Sequence, residues 1–123
     1  MGDKENALKT YEKTLKYNPG YIGALNNSGV IYFERQDYAN ALKYFTNVLK
    51  YNVNYADAYA NTGAVYHNKS QHDLAITNYE KAISLNPKLF NVYDNLVKIY
   101  NFKGNKDKAN YYANLKAVNG GPK

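Results

Sequence analysis

The sequence contains no cysteine, only three prolines and no long run of apolar residues. Without cysteine, disulfide bonds and thiolate metal sites are excluded. Since a membrane-spanning helix needs about 20 consecutive apolar residues, the sequence predicts no such helix and no membrane partner. The first five residues, Met1 to Glu5, provide no apolar segment of the kind found in secretory signals. We therefore expect an intracellular protein, in the cytoplasm, the nucleus or both.

What the sequence does contain is a repeat with a period of 34 residues. Segments 22–55, 56–89 and 90–123 align without gaps, and similar residues return at the same offsets. Small residues let two helices approach closely and large ones fill the space between them, so the pattern indicates stacked helix pairs. The recurring residues are Leu25, Tyr59 and Tyr93; Gly29 and Gly63; Tyr32, Tyr66 and Tyr100; Ala41, Ala75 and Ala109; and Phe45 and Tyr79.

The same frame extends to the N-terminal residues and predicts seven helices in one array covering residues 1–123. We divide this array into the second helix of a partial repeat (1–21), two full repeats (22–55 and 56–89) and a terminal repeat with a frayed tail (90–123). Because the array begins inside a repeat, the simplest explanation is a fragment of a longer protein. An N-terminal capping helix is the alternative.

Local signals mark the ends of the predicted helices. Asp37 and Asp73 lie where second helices begin, where a carboxylate caps the helix or favours its dipole. Pro19 and Pro87 end second helices, since the residue before proline avoids the α region. Gly104, followed by asparagine, indicates a turn in the last repeat.

The pattern also departs from its own period in several places. Val53 replaces a proline, Val97 replaces a glycine and Ala113 replaces an aromatic residue. We expect the segment 118–123 to fray, and Gly2-Asp3 to lie in a turn. Terminal repeats are often atypical because they cap the stack.

Over nearly its whole length the chain resembles the tetratricopeptide (TPR) repeat family. The resemblance implies an all-α fold, an α-solenoid of about seven antiparallel helices in a right-handed superhelix. It also implies that the first helix of each repeat lines a concave groove, which is where a binding function would lie. The chain would then be a protein–protein interaction module that holds an extended peptide or protein segment.

The residues expected in this groove include an asparagine at one offset of every repeat. Asn27, Asn61 and Asn95 are spaced by one full period. An amide side chain offers one acceptor and two donors, so a row of them could hold a peptide backbone whatever its sequence. The alternative is that these asparagines bond within the stack. The neighbouring candidates are Asn26, Val30, Phe33, Asp57, Ala64, His67, Asn68, Asp94, Lys98 and Asn101.

The wording of two repeats resembles one group within the family, the TPR arms of O-GlcNAc transferases and SPINDLY-type glycosyltransferases. Residues 24–32 spell ALNNSGVIY and residues 55–63 spell YADAYANTG, which are similar to the phrases of that group. This resemblance implies a segment that recruits substrates for a sugar transferase domain.

Two other kinds of TPR protein are considered as alternatives. A co-chaperone clamp for a chaperone's C-terminal carboxylate would need cations at offsets where this chain has Asn26, Asn91 and Asn95. Without them the carboxylate loses its charge-assisted hydrogen bonds, so we reject the clamp. A scaffold inside a multi-protein complex remains open. Exposed ends of the array could also allow self-association.

Catalysis and nucleic-acid binding are not expected. His67 and His72, the only histidines, have no carboxylates at metal-ligand spacing, and we interpret them as ordinary surface side chains. The sequence contains no nucleophile elbow or phosphate loop, so we predict neither enzyme activity nor a cofactor. The net charge of +6 suggests nucleic acid, but many lysines fall at solvent-facing positions of second helices. These are Lys9, Lys13, Lys16, Lys43 and Lys50.

Overall fold

The computed structural model describes residues 2–122, and within this range the chain forms seven α-helices and no β-strand. Met1 and Lys123 lie outside the described residues. The all-α prediction is confirmed. The helices are α1 (Gly2–Tyr17), α2 (Ile22–Glu34), α3 (Tyr38–Tyr51), α4 (Ala56–Asn68), α5 (His72–Leu85), α6 (Phe90–Phe102) and α7 (Lys106–Val118).

The helices pack as consecutive pairs. α2 packs mainly on α3, α4 on α5 and α6 on α7, while α1 packs on α2 and each pair packs on the next. Connections of three or four residues join consecutive helices, so neighbours run antiparallel. The architecture is therefore a stack of helical hairpins. The division into repeats beginning at residues 22, 56 and 90 remains our proposal.

Glycines allow the two helices of a pair to approach closely. A Cβ atom added to Gly63 would lie 2.6 Å from Cδ1 of Tyr79. The same atom on Gly29 would lie 2.5 Å from Cε1 of Phe45. Both aromatic rings are fully buried. Only glycine therefore fits beside these rings without a shift of the helices.

The last pair uses a different arrangement. Val97 stands in the glycine position of α6 and is half-buried, while Ala113 stands in the aromatic position of α7 and is exposed. The buried aromatic residue of α7 is Tyr112, which precedes Ala113 and stacks on Tyr100 at a ring distance of 5.7 Å. The repeat pattern pointed to the replacement at Ala113 but not to Tyr112.

The predicted signals at the helix starts are only partly correct. Asp37 caps α3, since its carboxylate accepts a hydrogen bond from the backbone N–H of Asn40 at 3.3 Å. Asp73 lies in the first turn of α5, where its carboxylate favours the helix dipole as predicted, and it also accepts a hydrogen bond from Lys103 at 2.8 Å. The turn predicted at Gly2-Asp3 is wrong, because both residues belong to α1. Asp3 lies in the first turn of α1, where its negative charge stabilises the helix end through the helix dipole.

The turns inside the three pairs share one backbone conformation. Gln36, Ser70 and Gly104 all have positive φ angles, of 61°, 59° and 76°. The residue after each of them donates its backbone N–H to a carbonyl five positions earlier, at 2.8 to 2.9 Å. This hydrogen bond closes the end of each first helix. The turn at Gly104 is as predicted, whereas no local signal indicated left-handed residues at Gln36 and Ser70.

The chain after α7 contacts α6 and the loop that precedes α6. The side-chain amide of Asn119 lies 3.3 Å from the hydroxyl of Tyr93, and Lys88 Nζ donates to the Asn119 carbonyl at 2.6 Å. Val118 is 81% exposed. Fraying of the tail stays a prediction, and its last residue, Lys123, lies outside the described residues.

Candidate functional site

All residues predicted to line the groove lie on the first helices of the three pairs, and none of them is fully buried. We call this surface the first-helix face. Because every one of its residues reaches solvent, each could contact a partner. The members are Asn26, Asn27, Val30 and Phe33 on α2; Asp57, Asn61, Ala64, His67 and Asn68 on α4; and Asp94, Asn95, Lys98 and Asn101 on α6.

The three asparagines of the predicted ladder have different surroundings. Asn27 is exposed and makes no side-chain hydrogen bond within residues 2–122. Asn61 is half-buried and donates its amide to Oδ1 of Asn26 at 3.0 Å, which links α4 to α2. Asn95 is half-buried near the hydroxyl of Tyr79, whose pKa it lowers. Asn61 therefore bonds within the stack, as the alternative interpretation of the sequence allowed.

The hydroxyl of Tyr79 is a junction beneath the first-helix face. Besides Asn95, it lies 3.4 Å from Nδ1 of His67. Burial raises the pKa of Tyr79 to about 12, although Asn95 acts in the opposite direction. The hydroxyl therefore stays protonated at neutral pH and can act as a donor. One buried side chain thus connects α4, α5 and α6.

Two histidines and a phenylalanine form an aromatic cluster at the turn end of this face. The rings of His67 and His72 are 6.0 Å apart, and His72 lies 4.8 Å from Phe102. Phe102 is 76% exposed, whereas both histidines are half-buried. The interpretation of the histidines as ordinary surface residues is therefore wrong. The sequence places them five positions apart, and only the turn between α4 and α5 brings them together.

The surroundings of His67 favour its neutral form. Burial lowers its pKa below the usual value, and the charges of His72 and Lys98 act in the same direction. Nδ1 of His72 is buried and has no hydrogen-bond partner among residues 2–122. Within this part of the chain no three His, Asp or Glu side chains are grouped so that they could hold a metal ion.

Charges on the first-helix face are few and partly paired. The carboxylate of Asp94 accepts hydrogen bonds from Lys116 of α7 at 2.9 and 3.2 Å. Lys98 is exposed, near His67. Asp57 is exposed in the first turn of α4. The face offers amides and aromatic rings more than a strong field of one sign.

Among residues 2–122 no helix is long and apolar enough to span a bilayer.

The basic residues are concentrated on the second helices of the pairs and on α1. The lysines predicted to face solvent are all exposed on second helices: Lys9, Lys13 and Lys16 on α1, and Lys43 and Lys50 on α3.

Comparisons with known proteins agree with this geometry. Two family models described as tetratricopeptide repeat match the chain, one over residues 1–46 and the other over residues 56–89. No curated protein matches the sequence significantly.

Solved structures with the same fold include several MamA proteins. A crystal structure of MamA protein is 28% identical, with a TM-score of 0.83, and the match covers 94% of this chain and 63% of that one. Another MamA crystal structure is 25% identical, with a TM-score of 0.72, over 96% and 89% of the two chains. MamA from Desulfovibrio magneticus RS-1 is 23% identical with a TM-score of 0.81, covering 95% and 66%. The chain thus spans 63% of the first of these proteins.

None of these similar structures is a glycosyltransferase, and nothing in them links the chain to O-GlcNAc transferase or SPINDLY-type proteins. The helix pairs, the glycine–aromatic contacts within them and both family matches lead to one assignment. The chain carries tetratricopeptide repeats and folds as a TPR solenoid.

Proposed function

We propose that the chain is a non-catalytic adaptor that binds an extended polypeptide along its first-helix face and so joins proteins in a complex. The observation that carries this proposal is the row of amides on neighbouring helices. Asn26 and Asn61 are aligned well enough across two repeats to hydrogen-bond at 3.0 Å, and Asn27 is exposed beside them. A peptide backbone presents N–H and C=O groups that pair with such amides.

The narrower interpretation, a substrate-recruiting arm of a glycosyltransferase, rests on the wording of residues 24–32 and 55–63 alone. The adaptor is the better-supported proposal, because the similar structures are TPR proteins of another kind. The full sequence of the parent gene product separates the two. A large α/β transferase region after further repeats would support the glycosyltransferase arm, and its absence would leave the adaptor.

The amide row is tested with peptides selected on the immobilised protein from a random library of about 12 residues, roughly 40 Å when extended. We expect the triple variant Asn27→Ala, Asn61→Ala, Asn95→Ala to weaken their binding by about tenfold or more. The reason is that each lost hydrogen bond is worth about 1 kcal/mol. Peptides with N-methylated backbone amides should show a similar loss on the wild-type protein. Fluorescence anisotropy measures both effects.

A matched control removes three exposed asparagines from second helices, Asn6, Asn110 and Asn114, and should leave affinity unchanged. Circular dichroism shows whether each variant is folded. If the triple variant unfolds, the single variant Asn27→Ala decides, since that side chain makes no internal bond within residues 2–122. The proposal that the asparagines hydrogen-bond with the peptide backbone would be excluded by two results together. These are an unchanged affinity of folded Asn27→Ala protein and undiminished binding of N-methylated peptides to the wild type.

A further inference from the structure

The second helices form two pockets at equivalent places in the array. The first lies between α1 and α3 with a volume of about 310 Å³, and the second lies between α5 and α7 with a volume of about 450 Å³. Seven of the eight residues lining the first pocket have a counterpart lining the second, two 34-residue periods later. The pairs are Leu15 and Ile83, Pro19 and Pro87, Leu25 and Tyr93, Lys43 and Tyr111, Tyr44 and Tyr112, Asn47 and Leu115, and Tyr51 and Asn119.

Both pockets share a framework of stacked tyrosines beside a carboxylate. Tyr44 stacks on Tyr32 at 5.5 Å, just as Tyr112 stacks on the first-helix tyrosine of the last pair. The hydroxyl of Tyr112 donates to Glu80. Glu12 is the counterpart of Glu80, and its charge adds to the effects of burial and Tyr32 that raise the pKa of Tyr44. The repeat therefore places a stacked tyrosine pair and a carboxylate beside each of the two pockets.

The two pockets differ in charge. Lys43 and Lys50 line the first one, which we call the basic pocket, whereas no lysine or arginine lines the second. Lys16 holds the position of Ser84, which lines the second pocket. Glu12 is the carboxylate near Tyr44, and α3 itself carries no acidic residue. Two lysines thus line the basic pocket, and a third lysine occupies a neighbouring repeat position.

These lysines are not used by the fold itself. None of the three forms an ion pair within residues 2–122, where the ion pairs involve other cations. In the groove between α3 and α5, by contrast, Lys81 lies 5.9 Å over the ring of Tyr59. The basic pocket has Asn47 in place of that lysine and Leu25 in place of that tyrosine. The cation–π contact between Lys81 and Tyr59 therefore has no equivalent in the basic pocket.

An exposed aromatic ring forms one side of the basic pocket. Tyr51 is 52% exposed, and its ring lies against the backbone of Gly20, where an added Cβ would come within 2.7 Å of Cδ1. The ring therefore packs on the loop between α1 and α2. A tyrosine ring beside cations is a favourable surface for a protein partner.

We propose that the basic pocket binds an acidic segment of a partner polypeptide. Aspartate or glutamate carboxylates of that segment accept hydrogen bonds from Lys43 and Lys50, and a neighbouring apolar side chain packs on Tyr51. A volume of about 310 Å³ admits one or two side chains and no folded domain. The site belongs to second helices, so it is independent of the first-helix face.

The probe is a fluorescein-labelled peptide of about ten residues, alternating glutamate with glycine and containing one leucine. We expect the wild-type protein to bind it, and Lys43→Gln with Lys50→Gln to weaken its affinity by about tenfold or more. The matched control, Lys106→Gln with Lys108→Gln on α7, makes the same charge change on exposed lysines and should keep the affinity within about twofold. Asn27→Ala should bind the acidic peptide as the wild type does, even if the proposed first-helix function fails.

Three results would overturn the proposal. Equal weakening in both lysine pairs would show attraction by net charge alone. Stronger binding of oligo(dT) or poly(U), lost in the same Lys43/Lys50 variant, would assign the pocket to nucleic acid. No measurable binding of the acidic peptide to the wild-type protein at low salt would exclude the site.

Discussion

At the scale of single residues, the buried side chain of Tyr79 links the core to the polar groups of the first-helix face. Tyr79 packs against Gly63 and its hydroxyl meets both His67 and Asn95. Such a residue serves the core and the surface together. A change at any of its neighbours therefore affects packing and hydrogen bonding at once.

His67 makes stability depend on pH. Because burial lowers its pKa in the folded protein, the unfolded chain binds more protons near the ordinary histidine pKa of about 6.5. Its contribution to stability is therefore present above about pH 6.5 and is lost as pH falls toward the lower folded pKa. We expect the melting temperature to fall more between about pH 8 and pH 5 in the wild type than in His67→Gln. Parallel profiles in thermal melts followed by circular dichroism would contradict this assignment.

The sequence could predict which residues pack but not which polar groups meet. Gly29, Gly63 and Tyr79 recur with the period, so their positions in the pairs follow from the pattern. The bond between Asn26 and Asn61 depends on the angle between two pairs, which no local pattern encodes. For that reason the ladder looked like three equal asparagines, whereas the structure gives each one a different role.

At the scale of secondary-structure elements, the turn within each pair imposes a left-handed residue. That conformation suits glycine at position 104, whereas Gln36 and Ser70 adopt it with a side chain. For a residue with a Cβ atom it costs about 1 kcal/mol or more. Helix ends marked by proline were predictable, since α1 and α5 stop two residues before Pro19 and Pro87. The strained turns were not, because their residues are ordinary polar ones.

Replacing Ser70 with glycine should stabilise the protein. Relief of the left-handed strain, less the entropy that glycine adds to the unfolded chain, leaves a gain of about 0.5–1 kcal/mol. Urea unfolding measures this as an upward shift of the midpoint with an unchanged slope. The matched control is Gly104→Ala, which puts a Cβ on the equivalent residue at φ 76° and should lower the midpoint. A lower midpoint for Ser70→Gly would show that the turn carries no strain.

At the scale of the whole molecule, burial is uneven along the array. α2, α5 and α6 each bury five residues, whereas α1 at one end buries only Leu8 and α7 at the other end only Ala109 and Tyr112. Each helix pair depends on its neighbours for cover, and the outer helices have a neighbour on one side. Stability should therefore be highest in the middle and fall toward both ends.

Hydrogen exchange can test this gradient. We expect amides of α1 and α7 to exchange faster than those of α4 and α5 under native conditions, since local opening of a lightly buried helix costs less. Tyr112→Ala should accelerate exchange in α7 and leave α1 unchanged, because the two helices lie at opposite ends. Mass spectrometry of peptic fragments resolves the helices. Uniform protection along the chain would mean that the array unfolds as one unit.

The hydrogen bond between Asn26 and Asn61 connects two repeats on the face of the first helices rather than in the core. A hydrogen bond on one side of the interface between repeats limits how far that side can open. A peptide that hydrogen-bonds with these two side chains replaces this contact with contacts to its own backbone. Occupancy of the face and the bend of the array would then change together, so tension applied to the ends of the solenoid would alter how firmly it holds its ligand.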